Sequence, residues 1–147
     1  MQPAAPITPE RAREYLSLQS QMQSGVENTW VMFALELKGH RRVIGEAGIF
    51  LFNQDARLGN MGWFIHPDFQ RRHYATEAAG ALLAYAFEDQ ELHRVTASCL
   101  TTNEPSFRLM QRIGMRREGH MRKSRKWRDA WLDEYAYALL REEWVKS

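Results

Sequence analysis

The chain has 147 residues, a formal net charge of +2 and 44% hydrophobic residues, with one cysteine, Cys99. The length suits one domain with a substantial core, so we expect residues 1–147 to form a single domain. One cysteine excludes an intramolecular disulfide framework, and no basic-then-apolar leader or apolar run of about 18 residues is present, which predicts a cytoplasmic protein without membrane contact. The small net charge argues against nucleic acid as a partner.

Apolar periodicity and the turn residues between apolar runs predict the elements in chain order. The first is a helix at 8–23, with Thr8 as its N-cap and Pro9 at the first helical position. Strands are predicted at 30–37, 42–52, 58–66, 94–100, 115–126 and 130–140, and further helices at 74–88 and 104–112. Gly45 and Gly48 indicate a bend or bulge in the second strand. The first three strands predict an antiparallel meander, and the last two a hairpin.

Residues 62–77 are the most informative stretch, because an apolar strand ends at a proline and a basic turn then leads into an amphipathic helix. The first N–H groups of a helix lack partners and the helix dipole favours negative charge there, so this arrangement predicts a phosphate site. The turn and helix start read Gln70, Arg71, Arg72, His73, Tyr74, Ala75 and Thr76. The alternative is an ordinary strand–loop–helix connection with solvated arginines.

The run from Gln70 to Ala75 resembles the acetyl-CoA pyrophosphate loop of the GNAT superfamily of N-acetyltransferases. Its continuation is similar to the branch that contains the ribosomal-protein N-terminal acetyltransferases. His73 stands where the family usually has glycine, and histidine tolerates a left-handed backbone better than most residues do. Further matching segments, from Asn103 onward, extend the resemblance over residues 29–144.

The resemblance implies a single α+β domain, in which helices flank a central, mostly antiparallel and splayed sheet. It implies acetyl-CoA as co-substrate and transfer of its acetyl group to a primary amine, on a small molecule or a protein N-terminus, in a ternary complex. The cofactor-binding residues that it implies are Phe64, Ile65, His66, Gln70, Arg71, Arg72, His73, Tyr74, Ala75, Thr76 and Asn103. Asn103 is equally suited to being a helix N-cap.

Two catalytic residues are implied by the same resemblance. Ser106 would protonate the departing thiolate, because the tyrosine that other members place four residues later is Met110 here. Its alternative role is structural, as a serine in the first turn of a helix whose hydroxyl forms a hydrogen bond with the helix backbone. Glu46 would be the general base, with Glu118 as the second candidate and a water relay as the third.

Metal and thiol chemistry find no support in the sequence. Cys99 lies in an apolar strand without an adjacent base, which predicts a core thiol, and the five histidines show no metal-ligand spacing. Residues 116–128 carry seven basic side chains against one acidic one, which suits an acidic acceptor, a cofactor phosphate, nucleic acid or plain solvation. The alternative function is therefore a non-catalytic acyl-CoA-binding or RNA-binding module.

The front of the chain departs from the branch, whose members begin with a strand and a further helix before the one predicted at 8–23. The family's first strand and helix are thus expected to be missing. Such a chain would leave the strand at 30–37 on an exposed sheet edge, and exposed edges are normally paired or covered. This predicts a homodimer or larger assembly.

Overall fold

The computed structural model describes residues 10, 13, 28–53 and 56–144. The described elements are β1 (Thr29–Leu37), β2 (Arg42–Leu51), β3 (Leu58–Ile65), α1 (Tyr74–Ala84), β4 (Arg94–Leu100), α2 (Glu104–Arg112), β5 (Arg116–Trp127) and β6 (Ala130–Leu140). The predicted strands are confirmed to within one residue at each end. The predicted helix at 8–23 lies outside the described residues except for Glu10 and Arg13, which are helical and exposed.

The six described strands form one sheet in the order β1-β2-β3-β4-β6-β5. Neighbouring strands are antiparallel except for β3 and β4, which are parallel, so the predicted α+β class and mostly antiparallel sheet are confirmed. The pairing of β1 with β2 shifts between Leu35–Gly45 and Glu36–Val43, which leaves Ile44 as an extra residue. The bulge that Gly45 indicated is therefore present.

The core forms where the two helices pack on the sheet. Ala79, Leu82 and Leu83 of α1 are buried at the three- and four-residue spacing that places side chains on one helix face. They belong to one buried cluster with Ile49 of β2 and Met110 of α2. No helix in the described part of the chain is long and apolar enough to span a membrane.

The helix predicted at 74–88 is confirmed in extent to within one residue, but its last turn is a π-turn. Regular α-helix ends at Ala84, and Tyr85–Asp89 form a π-turn in which the Gln90 N–H donates to the Tyr85 carbonyl at 3.0 Å. Phe87 lies in the core with its ring centroid 5.5 Å from that of Trp144. The wider turn accommodates one extra residue without breaking the helix.

Candidate active site

The sheet opens between β3 and β4. Their pairing covers only Leu58 to Asn60 against Arg94 to Thr96, and the Asn60 side-chain amide donates to the Thr96 hydroxyl at 2.9 Å at the end of this contact. Beyond it, the β4-facing edge of residues 61–65 has no strand partner among the described residues. The splay implied by the resemblance is therefore present, and it exposes one backbone edge of β3.

The predicted phosphate loop connects this open edge to α1. Phe69 N–H donates to the His66 carbonyl at 2.9 Å, and the Gln70 side chain donates to the Ile65 carbonyl at 2.9 Å, so the turn folds back on the end of β3. Arg71 and His73 have left-handed backbones, with φ of 64° and 63°. The expectation that His73 tolerates the conformation usually given to glycine is confirmed.

Unpaired backbone donors gather where this loop enters α1. The N–H groups of residues 71–76 have no hydrogen-bond acceptor in the described part of the chain, whereas the Glu77 N–H donates to the His73 carbonyl at 3.1 Å. The helix dipole adds positive potential at the same point. Backbone donors and dipole together make this end of α1 suited to an anion such as a pyrophosphate.

A cavity of about 460 Å³ lies between this loop, the end of β3 and the start of α2. Ten predicted site residues line it: Phe64, Ile65, Gln70, Arg71, His73, Tyr74, Ala75, Thr76, Asn103 and Ser106. We call it the loop cavity. Its described wall contains no Asp or Glu, so nothing there opposes a polyanionic ligand electrostatically.

Three predicted site residues lie elsewhere. His66 is exposed, and its Nδ1 accepts from the Asp68 N–H at 3.2 Å. Arg72 stacks its guanidinium 5.9 Å from the ring centroid of Phe69. Glu46 is exposed on β2, where its backbone pairs with that of Phe64, but it lines no cavity described here. The structure thus does not bring Glu46 together with Ser106.

Sequence reasoning missed two arginines of the loop cavity. Arg108 and Arg112 lie in its wall, and the Arg112 guanidinium donates to the Thr76 hydroxyl at 3.2 Å, which links the end of α2 to the first turn of α1. Arg108 is paired with Glu104 one helical turn earlier. The signal was available, because 105, 108, 109 and 112 share one helix face.

A second cavity of about 310 Å³ lies within the splay, on the side of the β5–β6 hairpin. We call it the hairpin cavity. Its wall includes Cys99, Arg125 and Lys126, and it shares Trp63 and Ser106 with the loop cavity. Trp63 and Ser106 therefore lie where the two cavities adjoin.

The family model of the acetyltransferase (GNAT) domain matches residues 1–116. The chain belongs to the GNAT acetyltransferase family. The uncharacterized N-acetyltransferase YnaD of Bacillus subtilis (strain 168) is 49% identical over 84 residues, which cover 57% of this chain and 49% of YnaD. YdaF of the same organism, named as a candidate ribosomal N-acetyltransferase, is 32% identical over 100 residues, or 68% of this chain and 55% of YdaF. The expected resemblance to the ribosomal branch is thus confirmed.

Solved structures agree with this assignment. The acetyltransferase (GNAT family) from Bacillus anthracis superposes with a TM-score of 0.81 at 34% identity, covering 93% of this chain and 77% of that one. The chain spans about half the length of YnaD and YdaF.

The start of α2 places both predicted polar residues of this GNAT domain at the loop cavity. The Asn103 side-chain oxygen accepts from the Ser106 N–H at 3.3 Å, so Asn103 is the N-cap of α2. Its amide NH₂ group and the Ser106 hydroxyl make no hydrogen bond to any residue that the structure describes. The cap therefore leaves a donor on each side chain available to a ligand.

The remaining candidates have structural roles. Cys99 is buried and its pKa is raised, chiefly because burial disfavours the thiolate, in keeping with a core thiol. Glu118, the second candidate for the general base, is held by an arginine. Its carboxylate forms a two-point ion pair with Arg94 of β4, which lowers its pKa. Among the described residues no group of three metal-ligating side chains occurs.

Proposed function

We propose that this protein transfers the acetyl group of acetyl-CoA to a primary amine by direct attack in a ternary complex. The observation that carries the proposal is that two cavities meet at Ser106 and Trp63. A thioester that enters through the loop cavity and an amine that enters through the hairpin cavity would meet there. The names of YnaD and YdaF as N-acetyltransferases support the reaction class.

The wall of the loop cavity offers groups that suit the separate parts of a CoA molecule. Unpaired N–H groups at the start of α1, together with Arg71, suit the pyrophosphate. The β4-facing backbone edge of residues 61–65, which has no described strand partner, suits the amide groups of the pantetheine arm, which would bind as an additional strand. Arg112, which donates to Thr76 in the first turn of α1, is a further cation for a phosphate group.

The proposed side-chain roles follow from position. The Ser106 hydroxyl would donate a proton to the departing thiolate, and the Asn103 amide would donate to the pantetheine arm. Glu46 lies on the strand next to Phe64 but outside both cavities, so it would receive the amine proton only through water. The bond changes balance: the amine nitrogen bonds the acetyl carbon, the carbon–sulfur bond breaks, and one proton leaves the amine as one reaches the sulfur.

Arg71 and Arg72 provide a matched pair for testing the phosphate site. Arg71 lines the loop cavity, whereas Arg72 stacks on Phe69. Arg71→Ala should weaken acetyl-CoA binding about 10–100-fold, because a charge-assisted bond to phosphate is lost, and Arg72→Ala should change it by less than about threefold. Isothermal titration with acetyl-CoA measures both. Equal losses in the two variants would mean that only the general charge of the turn matters.

Catalysis by Ser106 is tested against its neighbour in the same cap. Ser106→Ala should lower kcat about 10–100-fold with acetyl-CoA affinity nearly unchanged, since a general acid contributes about 10²–10⁴-fold and a thiolate is already a tolerable leaving group. Asn103→Ala should mainly weaken acetyl-CoA binding. Free-thiol release with a panel of amines gives the rates. If both variants lose affinity and turnover alike, damage to the cap explains them, and Ser106 has no proton to give.

The same assay separates the enzyme from the non-catalytic alternative. A binding module would raise its melting temperature with acetyl-CoA, yet release no thiol with any amine. A ligand at 100 times its Kd stabilises the folded state by about 2.7 kcal/mol, so binding is readily detected. If millimolar acetyl-CoA did not change the melting temperature, that result would contradict both the enzyme and the non-catalytic acyl-CoA-binding module.

A further inference from the structure

The phosphate loop, residues 66–73, holds two residues other than glycine in a left-handed backbone. Arg71 and His73 have φ of 64° and 63°. Glycine adopts this conformation without steric cost, whereas other residues keep it only where surrounding contacts enforce it. The unpaired N–H groups of residues 71–76 begin in the same segment, so their direction depends on those contacts.

The first residues of β2 extend past the end of β3 and contact this loop. The His66 N–H donates to the carbonyl of Ile44, the extra residue at the bulge of β2, at 2.7 Å. Two residues earlier, the Arg42 guanidinium lies 4.9 Å from the ring centroid of Phe69. That distance is within the range of about 6 Å over which a cation is attracted to an aromatic face. The start of β2 thus contacts the loop through its backbone and through one side chain.

Phe69 is the described contact through which Arg42 reaches the site. The half-buried ring of Phe69 lines the loop cavity, whereas Arg42 is exposed and lines neither described cavity. Arg42 makes no ion pair or side-chain hydrogen bond with a residue that the structure describes. Arg72 also lies over this ring, but at 5.9 Å it is at the limit of the attraction. Arg42 is therefore the closer of the two cations that hold the ring.

We propose that Arg42 is a positioning residue for the phosphate loop. Its guanidinium attracts the ring of Phe69 and thereby holds the loop closed, with the loop N–H groups directed at the pyrophosphate site. This deepens the proposed acetyl transfer and rests on it for the identity of the ligand. Arg42 touches no atom of acetyl-CoA in this proposal. It acts on the equilibrium between a closed loop, which binds, and an open loop, which does not.

Trypsin reports on the loop in the ligand-free protein, because it cleaves after arginine and Arg71 and Arg72 lie inside the loop. Cleavage requires the loop to leave its folded conformation, so its rate follows the open fraction when opening and closing are fast. Mass spectrometry quantifies the fragments that end at these two residues. Melting curves of each variant verify that the global fold is retained.

Arg42→Ala should raise the opening equilibrium about two- to fivefold, the factor that corresponds to one exposed cation–π contact. This factor divides between two measurements, because only the closed loop binds. The fold rise in the cleavage rate, multiplied by the fold rise in the Kd of acetyl-CoA from isothermal titration, equals it, and we call this the combined factor. Saturating acetyl-CoA closes the loop in every variant, so kcat should stay at the wild-type value.

Substitutions at the start of β2 assign the effect to the cation. Arg42→Gln should match Arg42→Ala, because it retains much of the length without the charge, and Arg42→Lys should restore most of the wild-type behaviour. Arg41→Asn is the matched control, since Arg41 is exposed and lines neither cavity, and asparagine tolerates the φ of 47° at this position. It should leave the combined factor at one.

Phe69→Leu separates the contact from long-range attraction, since a cation near a polyanion attracts it without any ring. Phe69→Leu should itself raise the opening equilibrium, because the loop loses the contact with Arg42. Arg42→Ala added to Phe69→Leu should then change the combined factor by less than about 1.5-fold, as expected when two side chains act through one contact.

Two results would overturn the inference while leaving acetyl transfer intact. One is a combined factor near one for Arg42→Ala, and the other is an equal combined factor for Arg42→Ala in the wild-type and Phe69→Leu backgrounds. If acetyl-CoA neither binds the wild type nor slows cleavage of its loop, the proposed function fails instead. The ligand-free cleavage rates then still decide whether Arg42 holds the loop.

Discussion

Gly45 connects the stability of the sheet to the wall of the loop cavity. A Cβ atom at this position would lie 2.1 Å from the Phe64 carbonyl oxygen and 3.0 Å from the Ile65 Cα, both of which are backbone atoms. Since Cβ atoms essentially never approach below 3.0 Å, β2 and β3 must separate locally in Gly45→Ala. Overpacking of this kind costs about 1–3 kcal/mol, which corresponds to a melting temperature lower by roughly 2–12 °C.

The same displacement moves the backbone that is proposed to hold the pantetheine arm. Gly45→Ala should therefore also weaken acetyl-CoA binding, although position 45 lines neither cavity. Thermal unfolding with and without acetyl-CoA measures both effects. A variant that melts and binds as the wild type does would refute the argument that Gly45 permits close approach of the two strands.

Gly80 provides the control for the same chemical change. It lies exposed on α1, and nothing is within 4 Å of its would-be Cβ. Gly80→Ala should raise stability by about 0.5–1 kcal/mol, because alanine loses less backbone entropy in a helix interior. If the stability change is negative for Gly45→Ala and positive for Gly80→Ala, the loss at position 45 comes from the close contact with β3 and not from the introduction of alanine as such.

Two further predictions concern ion pairs. Arg94 lowers the pKa of Glu118, so the pair stabilises the fold above the ordinary glutamate pKa of about 4.3, and this contribution is lost as pH falls through the lowered value. The stability difference between wild type and Glu118→Gln should shrink on acidification below about pH 4 in urea titrations, and a pH-independent difference would contradict it. Arg125 forms an ion pair with the buried Glu134, so Arg125→Met should cost about 1–3 kcal/mol, because the Glu134 carboxylate stays buried without this partner, and Arg125→Met with Glu134→Leu should recover most of the loss. A double variant no more stable than the single one would refute that cause.

Local patterns predicted most of this fold. Strand bounds were accurate because apolar runs end at turn residues, as at the turn between β1 and β2. The predicted bounds of α2 match the structure, in which Asn103 is its N-cap and Gly114, with a φ of 93°, follows its last turn. The π-turn after α1 has no signal in the local sequence pattern, and its Phe87 packs against Trp144, which is distant in sequence.

The candidate site shows the same difference between features that are local in sequence and features that depend on the tertiary fold. The phosphate loop is contiguous in sequence, so its residues could be named together, and ten of the thirteen predicted site residues line the loop cavity. Glu46 was placed by family position alone, and its orientation depends on how β2 pairs with β3. The hairpin cavity was invisible to local patterns, because Lys126 and Ser106 come together only through the order of β4, β6 and β5 in the sheet.

The splay between β3 and β4 explains why one sheet can provide both cavities. An open strand edge within a sheet leaves backbone groups that need partners, and those groups are costly to bury unsatisfied. The Asn60–Thr96 hydrogen bond holds the closed end of the splay, while the β4-facing edge of residues 61–65, without a described strand partner, is the edge that we propose receives a ligand with amide groups of its own. A ligand that completes this edge replaces a missing strand contact. Affinity for an extended amide-bearing arm and stabilisation of the sheet therefore have the same physical origin in this fold.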